Sequence, residues 1–320
     1  MIHTCGIMDF NYKTLIKILL AIFLIAFILY NLKIDVLIKT IQEANIEWIL
    51  IGWLIIFISH VMIVFRIKYV LAKFHNISNR KVFWSHFFGY MMGQITPGKL
   101  GYLTMSYIFK KDNIPVSLSS STLILSQLVS FIVQMILAGF CVFYLASAIG
   151  ATGIIYMVLI FGWVLISIII TLVFLKYGAW KFTGLIKRLP KGIKILNFTN
   201  SLNRDFTQIK RYTPAIFIIT LFTWIVSGVS WWAFGKALNI NLPFFAYILL
   251  NPLISSLTFF PITPAGIGIA EAGNVLIFSY LGIGAEKGFI FILLDRSINL
   301  IISLLGLKTL MSKKFLVSKK

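Results

Sequence analysis

Acidic side chains are scarce in this sequence: nine Asp and Glu stand against 29 Lys and Arg in 320 residues. Charge of either sign is rare, at 12%, where a globular chain carries roughly 25%. That shortage excludes an ordinary water-soluble domain. There are two cysteines, Cys5 and Cys141, which supports neither a disulfide framework nor a cysteine metal site. Histidines number four; His60 and His86 stand isolated and neither reads as a metal ligand. Paired carboxylates, Asp-rich motifs and His clusters are missing, so no catalytic constellation presents itself and an enzyme is not expected. The alternating ten-residue segments of a membrane β-barrel are also missing. The first apolar run, about 14–32, has no small-residue cleavage site after it and reads as a span rather than a signal peptide.

Apolar residues are abundant, at 59%. Several runs reach the 18 or so residues that a helix needs to cross a bilayer. The expectation is an all-α polytopic membrane protein forming one integral membrane domain over 1–320. The net charge of +20 lies in loops between spans, which points to a positive-inside bias and anionic headgroups rather than nucleic acid. Full spans are expected at about 14–32, 48–65, 115–147, 154–175, 214–236 and 287–310. An amphipathic helix over 33–47 should lie at the outer interface, with Ile34, Leu37, Ile38 and Ile41 on one face. The basic segment 176–213 should hold the cytoplasmic surface to anionic lipid. Arg66 ends the second span and reads as a positive-inside anchor. Loop charges place both termini in the cytoplasm, and low Arg with high Ile and Lys fits the cell membrane of a prokaryote.

A short phrase occurs twice. Ile95-Thr96-Pro97-Gly98-Lys99-Leu100-Gly101 is matched by Ile262-Thr263-Pro264-Ala265-Gly266-Ile267-Gly268. Pro removes a backbone donor and disfavours helix just before it, and Gly allows close approach. Pro97, Gly98 and Gly101 should break the first segment, 82–113; Pro252, Pro261, Pro264, Gly266 and Gly268 should break the second, 247–283. The flanking charges send the first hairpin in from the cytoplasm and the second from outside. Halves at about 48–147 and 214–310 would then form an inverted repeat with two re-entrant hairpins, a plan whose broken helices mark a substrate site.

Ionisable residues inside apolar segments are functional candidates. Glu271 stands three residues after Gly268, where a carboxylate gains from the start of a helix; it could face a cationic headgroup or carry a proton. Asp295 and Arg296 are adjacent and cannot face each other on a helix, so each needs its own partner, and Glu271 suits Arg296. Lys99 is the candidate for phosphate, and Gln94 stands just before the first phrase. Ser117, Ser119, Ser120, Ser121, Thr122, Ser126, Gln127 and Ser130 give the 115–147 helix a polar stripe, suited to close packing or a wet path.

Pro261-x-x-Pro264-x-Gly266-Ile267-Gly268-x-x-Glu271, with Arg296 and Gly306 in the closing helix, resembles the lysylphosphatidylglycerol synthase transmembrane family, also called flippase-like or UPF0104-type proteins. The family's Asn-x-x-Pro-Gly-x-x-Gly-Glu-x-x-Arg region is matched with departures: Gln94 replaces Asn, Tyr102 replaces Glu, and Met105 replaces Arg. The resemblance covers nearly the whole chain. It implies movement of a polar-headgroup lipid between leaflets without a cofactor, and the departures bear on which headgroup is handled. A membrane-embedded transferase acting on a lipid-linked substrate, or a non-transporting partner of a separate lipid-modifying enzyme, are the alternatives. Oligomeric state is not readable.

Overall fold

The computed structural model describes residues 12–146, 162, 165, 169, 192–258 and 263–311. Among these residues the structure is helical, with no strand. In chain order the helices are α1 (Tyr12–Asn31), α2 (Ile34–Gln42), α3 (Ile46–Leu71), α4 (Asn79–Ile95), α5 (Met105–Phe109), α6 (Val116–Ala146), α7 (Gly192–Ile209), α8 (Thr213–Ala237), α9 (Phe244–Leu257), α10 (Ile269–Tyr280), α11 (Ala285–Leu304) and α12 (Leu307–Met311). Four runs are long and apolar enough to cross a membrane: Ile46–Leu71, Val116–Leu145, Phe198–Ala237 and Ala285–Thr309. A bent pair, Leu19–Asn31 with Ile34–Gln42, makes up to five. Apart from residues 162, 165 and 169, the span expected at 154–175 lies outside the described residues, as do Pro261 and the first part of the basic segment, 176–191.

The bend between α1 and α2 is 88°, so the amphipathic helix expected after the first span does turn away from it. Glu286 fixes the corner by accepting the Lys33 backbone N–H at 3.2 Å. Ile28 and Leu32 close over Phe289 behind it. The described part of the basic segment, 192–213, holds α7 and a 3₁₀ turn, Lys210–Tyr212, that leads into α8. Phe198–Ala237 makes one run of 40 residues, about 60 Å at 1.5 Å per residue, longer than a hydrocarbon core of about 30 Å, and Ser121 of α6 donates to its Leu202 carbonyl at 3.0 Å.

Helix α3 also outruns its expected end by six residues, to Leu71. Ile67, Val70 and Leu71 are fully buried, so apolar packing carries the helix past Arg66. Pro252 was expected to break the second segment, yet α9 continues through it to Leu257. A proline inside a helix leaves the carbonyl four residues earlier without its donor and crowds it. The Pro252 carbonyl itself accepts the buried Gln134 amide at 3.2 Å, pinning the distorted helix to α6.

Helix contacts are close where a side chain is lacking. A Cβ on Gly228 would sit 2.5 Å from the Ile248 Cα, so α8 and α9 meet backbone to backbone, the small-residue packing common in membranes. Gly228→Val forces them apart. We expect a loss of about 1–3 kcal/mol, typical of overpacking, read as a lower unfolding temperature of the purified protein.

Candidate functional site

The two repeated phrases are where the helices stop. Helix α4 ends at Ile95, Thr96 is extended, and a 3₁₀ segment Pro97–Thr104 follows. Pro97 suits the first position of a helical turn because it has no N–H to satisfy. The Thr96 hydroxyl bridges the break, donating to the Met92 carbonyl at 2.9 Å and accepting the Gly101 N–H at 2.7 Å. Lys99 adopts a left-handed conformation, φ +57°, uncommon for a residue with a Cβ. In the second segment Pro264–Gly266 is again 3₁₀, and Ala265, Gly266 and Gly268 all have positive φ. Two of those three positions are glycine, the residue without a steric penalty there.

Arg296 of α11 ties the second break together. Its Nη1 donates to the Ala265 carbonyl at 3.0 Å and its Nη2 to the Gly266 carbonyl at 2.9 Å. Its Nε lies 2.6 Å from Glu271 Oε1. Glu271 Oε2 accepts the Gly268 N–H at 2.7 Å. Glu271 is only 2% exposed; both its oxygens are engaged by the protein's own donors. The carboxylate therefore holds the turn and Arg296 in place, rather than facing out toward a cationic headgroup.

Asp295 finds a separate set of partners. Its Oδ1 accepts the Trp231 indole N–H at 2.9 Å and its Oδ2 the Asn299 amide at 3.1 Å. Asn299 Oδ1 in turn accepts the Tyr90 hydroxyl at 2.8 Å. This fully partnered network joins α4, α8 and α11, and satisfies a carboxylate that could not otherwise be buried.

These residues surround a cavity of about 220 Å³. Gln94, Lys99, Asp295 and Arg296, all picked out from the sequence, line it together with Ala265 from the second phrase. A second cavity of about 410 Å³ shares Arg66, Tyr90, Gln94 and Lys99 as walls, and adds Gly93, Leu100 and Tyr102. Glu271 stands behind the wall. Pro97, Gly98, Gly101, Pro264, Gly266 and Gly268 shape the backbone that bears it. Among the described residues no group of three or more His, Cys, Asp or Glu comes together to hold a metal.

Two features differ from the sequence reading. Arg66 does not project from the bundle: it is 2% exposed, lines both cavities, and donates to the Thr220 hydroxyl at 2.6 Å. The apolar Ile67-x-Tyr69-Val70-Leu71 beyond it was the available signal. His60 and His86 are not isolated. Their Nδ1 and Nε2 atoms lie 3.0 Å apart, and His86 Nδ1 lies 2.7 Å from the Tyr102 hydroxyl. Helix–helix proximity brings residues 26 positions apart together, and no local spacing announces it. The hydroxyl stripe of α6 divides. Ser120 bonds Ser106 at 2.9 Å and Ser121 bonds α7, as packing requires, while Gln127 and Ser130 line the cavities.

A bundle of long apolar helices interrupted at two buried, polar breaks defines a multi-pass helical membrane protein. The model of the lysylphosphatidylglycerol synthase TM region matches residues 14–306, and the chain belongs to that family. It is similar to two UPF0104 membrane proteins of Methanocaldococcus jannaschii. One is 26% identical over 212 residues, covering 65% of this chain and 87% of the relative. The other is 24% identical over 335 aligned residues, covering 96% of this chain and 97% of the relative.

Proposed function

We propose that this protein moves a lipid with an anionic headgroup between membrane leaflets, with the headgroup passing through the paired cavities. The observation that carries this reading is the charge of their walls. Arg66, Lys99 and Arg296 line the smaller cavity with Asp295 as the sole carboxylate among its described walls, and Glu271 pairs with Arg296. The walls therefore carry more positive than negative charge, with Arg66 buried at 2% exposure and Lys99 on the exposed side, and ionisable residues among apolar helices mark substrate paths. Arg66 and Lys99 attend the phosphate, while Arg296 positions the second break. The lipid tails stay in hydrocarbon.

On this reading the breaks are re-entrant. The Lys81–Asp112 ion pair at 2.7 Å supports it for the first segment, because it brings the chain before the break next to the chain after it. A 17-residue α4 spans only about 25 Å, short of a full crossing. Irregular backbone at that depth is tolerated where it lines a cavity. The second segment enters from the opposite face, giving two inverted halves around one site.

The test uses liposomes bearing the purified protein and a tail-labelled fluorescent phosphatidylglycerol, with outer-leaflet label bleached by a membrane-impermeant reductant. Wild type should deplete inner-leaflet label faster than protein-free liposomes. Lys99→Met should slow it about tenfold, the equivalent of one charge-assisted contact of about 1.4 kcal/mol, with the unfolding temperature read alongside to separate lost binding from lost stability. Wild type that moves label no faster than empty liposomes overturns the proposal.

A further inference from the structure

The lipid path uses the cationic walls and leaves one buried group unexplained. His60 and His86 face each other from α3 and α4, both almost wholly buried, at 5% and 1% exposure. Two imidazoles 3.0 Å apart hold one proton between them when the pair is neutral, and one ring must then be donor and the other acceptor. The pair is not closed off. His60 lines the smaller cavity and His86 the larger. His86 Nδ1 continues to the Tyr102 hydroxyl at 2.7 Å. The result is a hydrogen-bonded run of side chains, His60, His86 and Tyr102, from one cavity to the other.

We propose that the His60–His86 pair is a proton-binding site coupled to the occupant of the cavities: an anionic phosphate group in the cavity draws a proton onto the pair, and a proton on the pair strengthens anion binding. The inference goes beyond lipid movement and does not require it. The step is a protonation and nothing else. One ring nitrogen accepts a proton from a hydronium ion in the cavity, leaving water; no other bond changes, and the two N–H protons of the neutral pair become three on a singly charged pair. Burial disfavours charge on any imidazole, and the charged groups facing the pair act on top of that. Arg66 on α3 and Lys99 on the 3₁₀ segment are cationic and oppose a proton. Tyr90 packs edge-on against His60 with ring centroids 4.6 Å apart, and Tyr102 is a neutral phenol. Asp295 and Arg296 on α11 form the far wall. An empty cavity thus favours the neutral pair. An anion beside Lys99 and Arg66 cancels the opposing charge and favours the proton. By linkage the proton must favour the anion equally.

The test follows the imidazole nitrogens of protein carrying ¹⁵N-histidine by NMR, titrated from about pH 4 to 8, the range in which shifted histidines change charge. The protein is held in maltoside micelles, alone, with inorganic phosphate, or with short-chain phosphatidylglycerol. The expected result is a coupled titration of two rings whose midpoint rises by about one pH unit or more with phosphatidylglycerol, a tenfold change in proton affinity. A rise with inorganic phosphate alone supports the site and makes a free phosphate anion its ligand; a rise only with the lipid makes it a headgroup site. His60→Gln should leave His86 to titrate as a single ring, without the two coupled steps of the pair; where that variant does not fold, the wild-type titration decides. The proposal is overturned by midpoints that agree in all three conditions, or by rings that stay neutral throughout. Lipid movement is scored separately: a midpoint shift without movement keeps this site and removes the translocator, and movement without a shift does the reverse.

Discussion

Arg296→Met should lower stability by about 3–5 kcal/mol, the loss seen when one member of a buried ion pair is removed and the other stays behind. The magnitude follows from what is stranded. Glu271, with a side chain 3% exposed, would keep one backbone donor and lose its counter-ion. The Ala265 and Gly266 carbonyls would lose the donors that hold the turn. Glu271→Gln should cost less, about 1–3 kcal/mol. Arg296 keeps both carbonyls there, its side chain is 24% exposed, and Gln can still accept the Gly268 N–H. The double variant Glu271→Gln, Arg296→Met should lose well less than the sum of the two single losses, since the stranded charge is gone. Cys141 is buried, so in a Cys5→Ser background the rise of thiol-dye fluorescence on heating reports each unfolding temperature. An Arg296→Met protein as stable as wild type would mean that the pair does not hold the second break.

Gly101→Ala should be nearly as damaging, for a steric reason. An added Cβ would meet the Met92 carbonyl oxygen at 2.1 Å and the Thr96 hydroxyl at 2.7 Å. Neither can yield without moving the break, because Met92 belongs to α4 and Thr96 already bridges both sides. We expect a loss of about 3 kcal/mol, the upper end of ordinary overpacking. Lipid movement should fall further than the fold does, because Lys99 and Tyr102 flank the displaced residue. Gly93→Ala is the matched control. Its Cβ would find nothing nearer than 3.7 Å, and Ala in place of a helical Gly should add about 0.5–1 kcal/mol. If the two variants unfold at the same temperature, the tight turn at Gly101 is not what shapes the first break.

Much of this site could be read from the letters, and what could not has a physical pattern. The breaks announced themselves because Pro and Gly act on their own backbone, so Pro97, Pro264 and Gly268 carry their meaning locally. Arg296 was conspicuous because a guanidinium eight residues into an apolar span must have a partner, and Glu271 was in reach. Asp295 demanded a partner just as firmly, but Trp231 and Asn299 are ordinary membrane-helix residues and gave no sign. Arg66 was misplaced because its signal, a charge after an apolar run, is the same for a helix that ends as for one that continues. His60 and His86 escaped entirely: their relation exists only once α3 lies against α4. Pro252 misled for the opposite reason. A lone proline argues for a break, and Gln134, 118 residues away, supplies a partner that the local sequence cannot show.

The corner between α1 and α2 has a consequence for biogenesis. Leu24 of α1 packs where a side chain on Gly268 would stand, and the Lys33 amide waits for a carboxylate 253 residues downstream. Helix α1 and the corner after it are therefore synthesised more than 200 residues before the positions they dock against, and they meet Gly268 and Glu286 only once those have emerged.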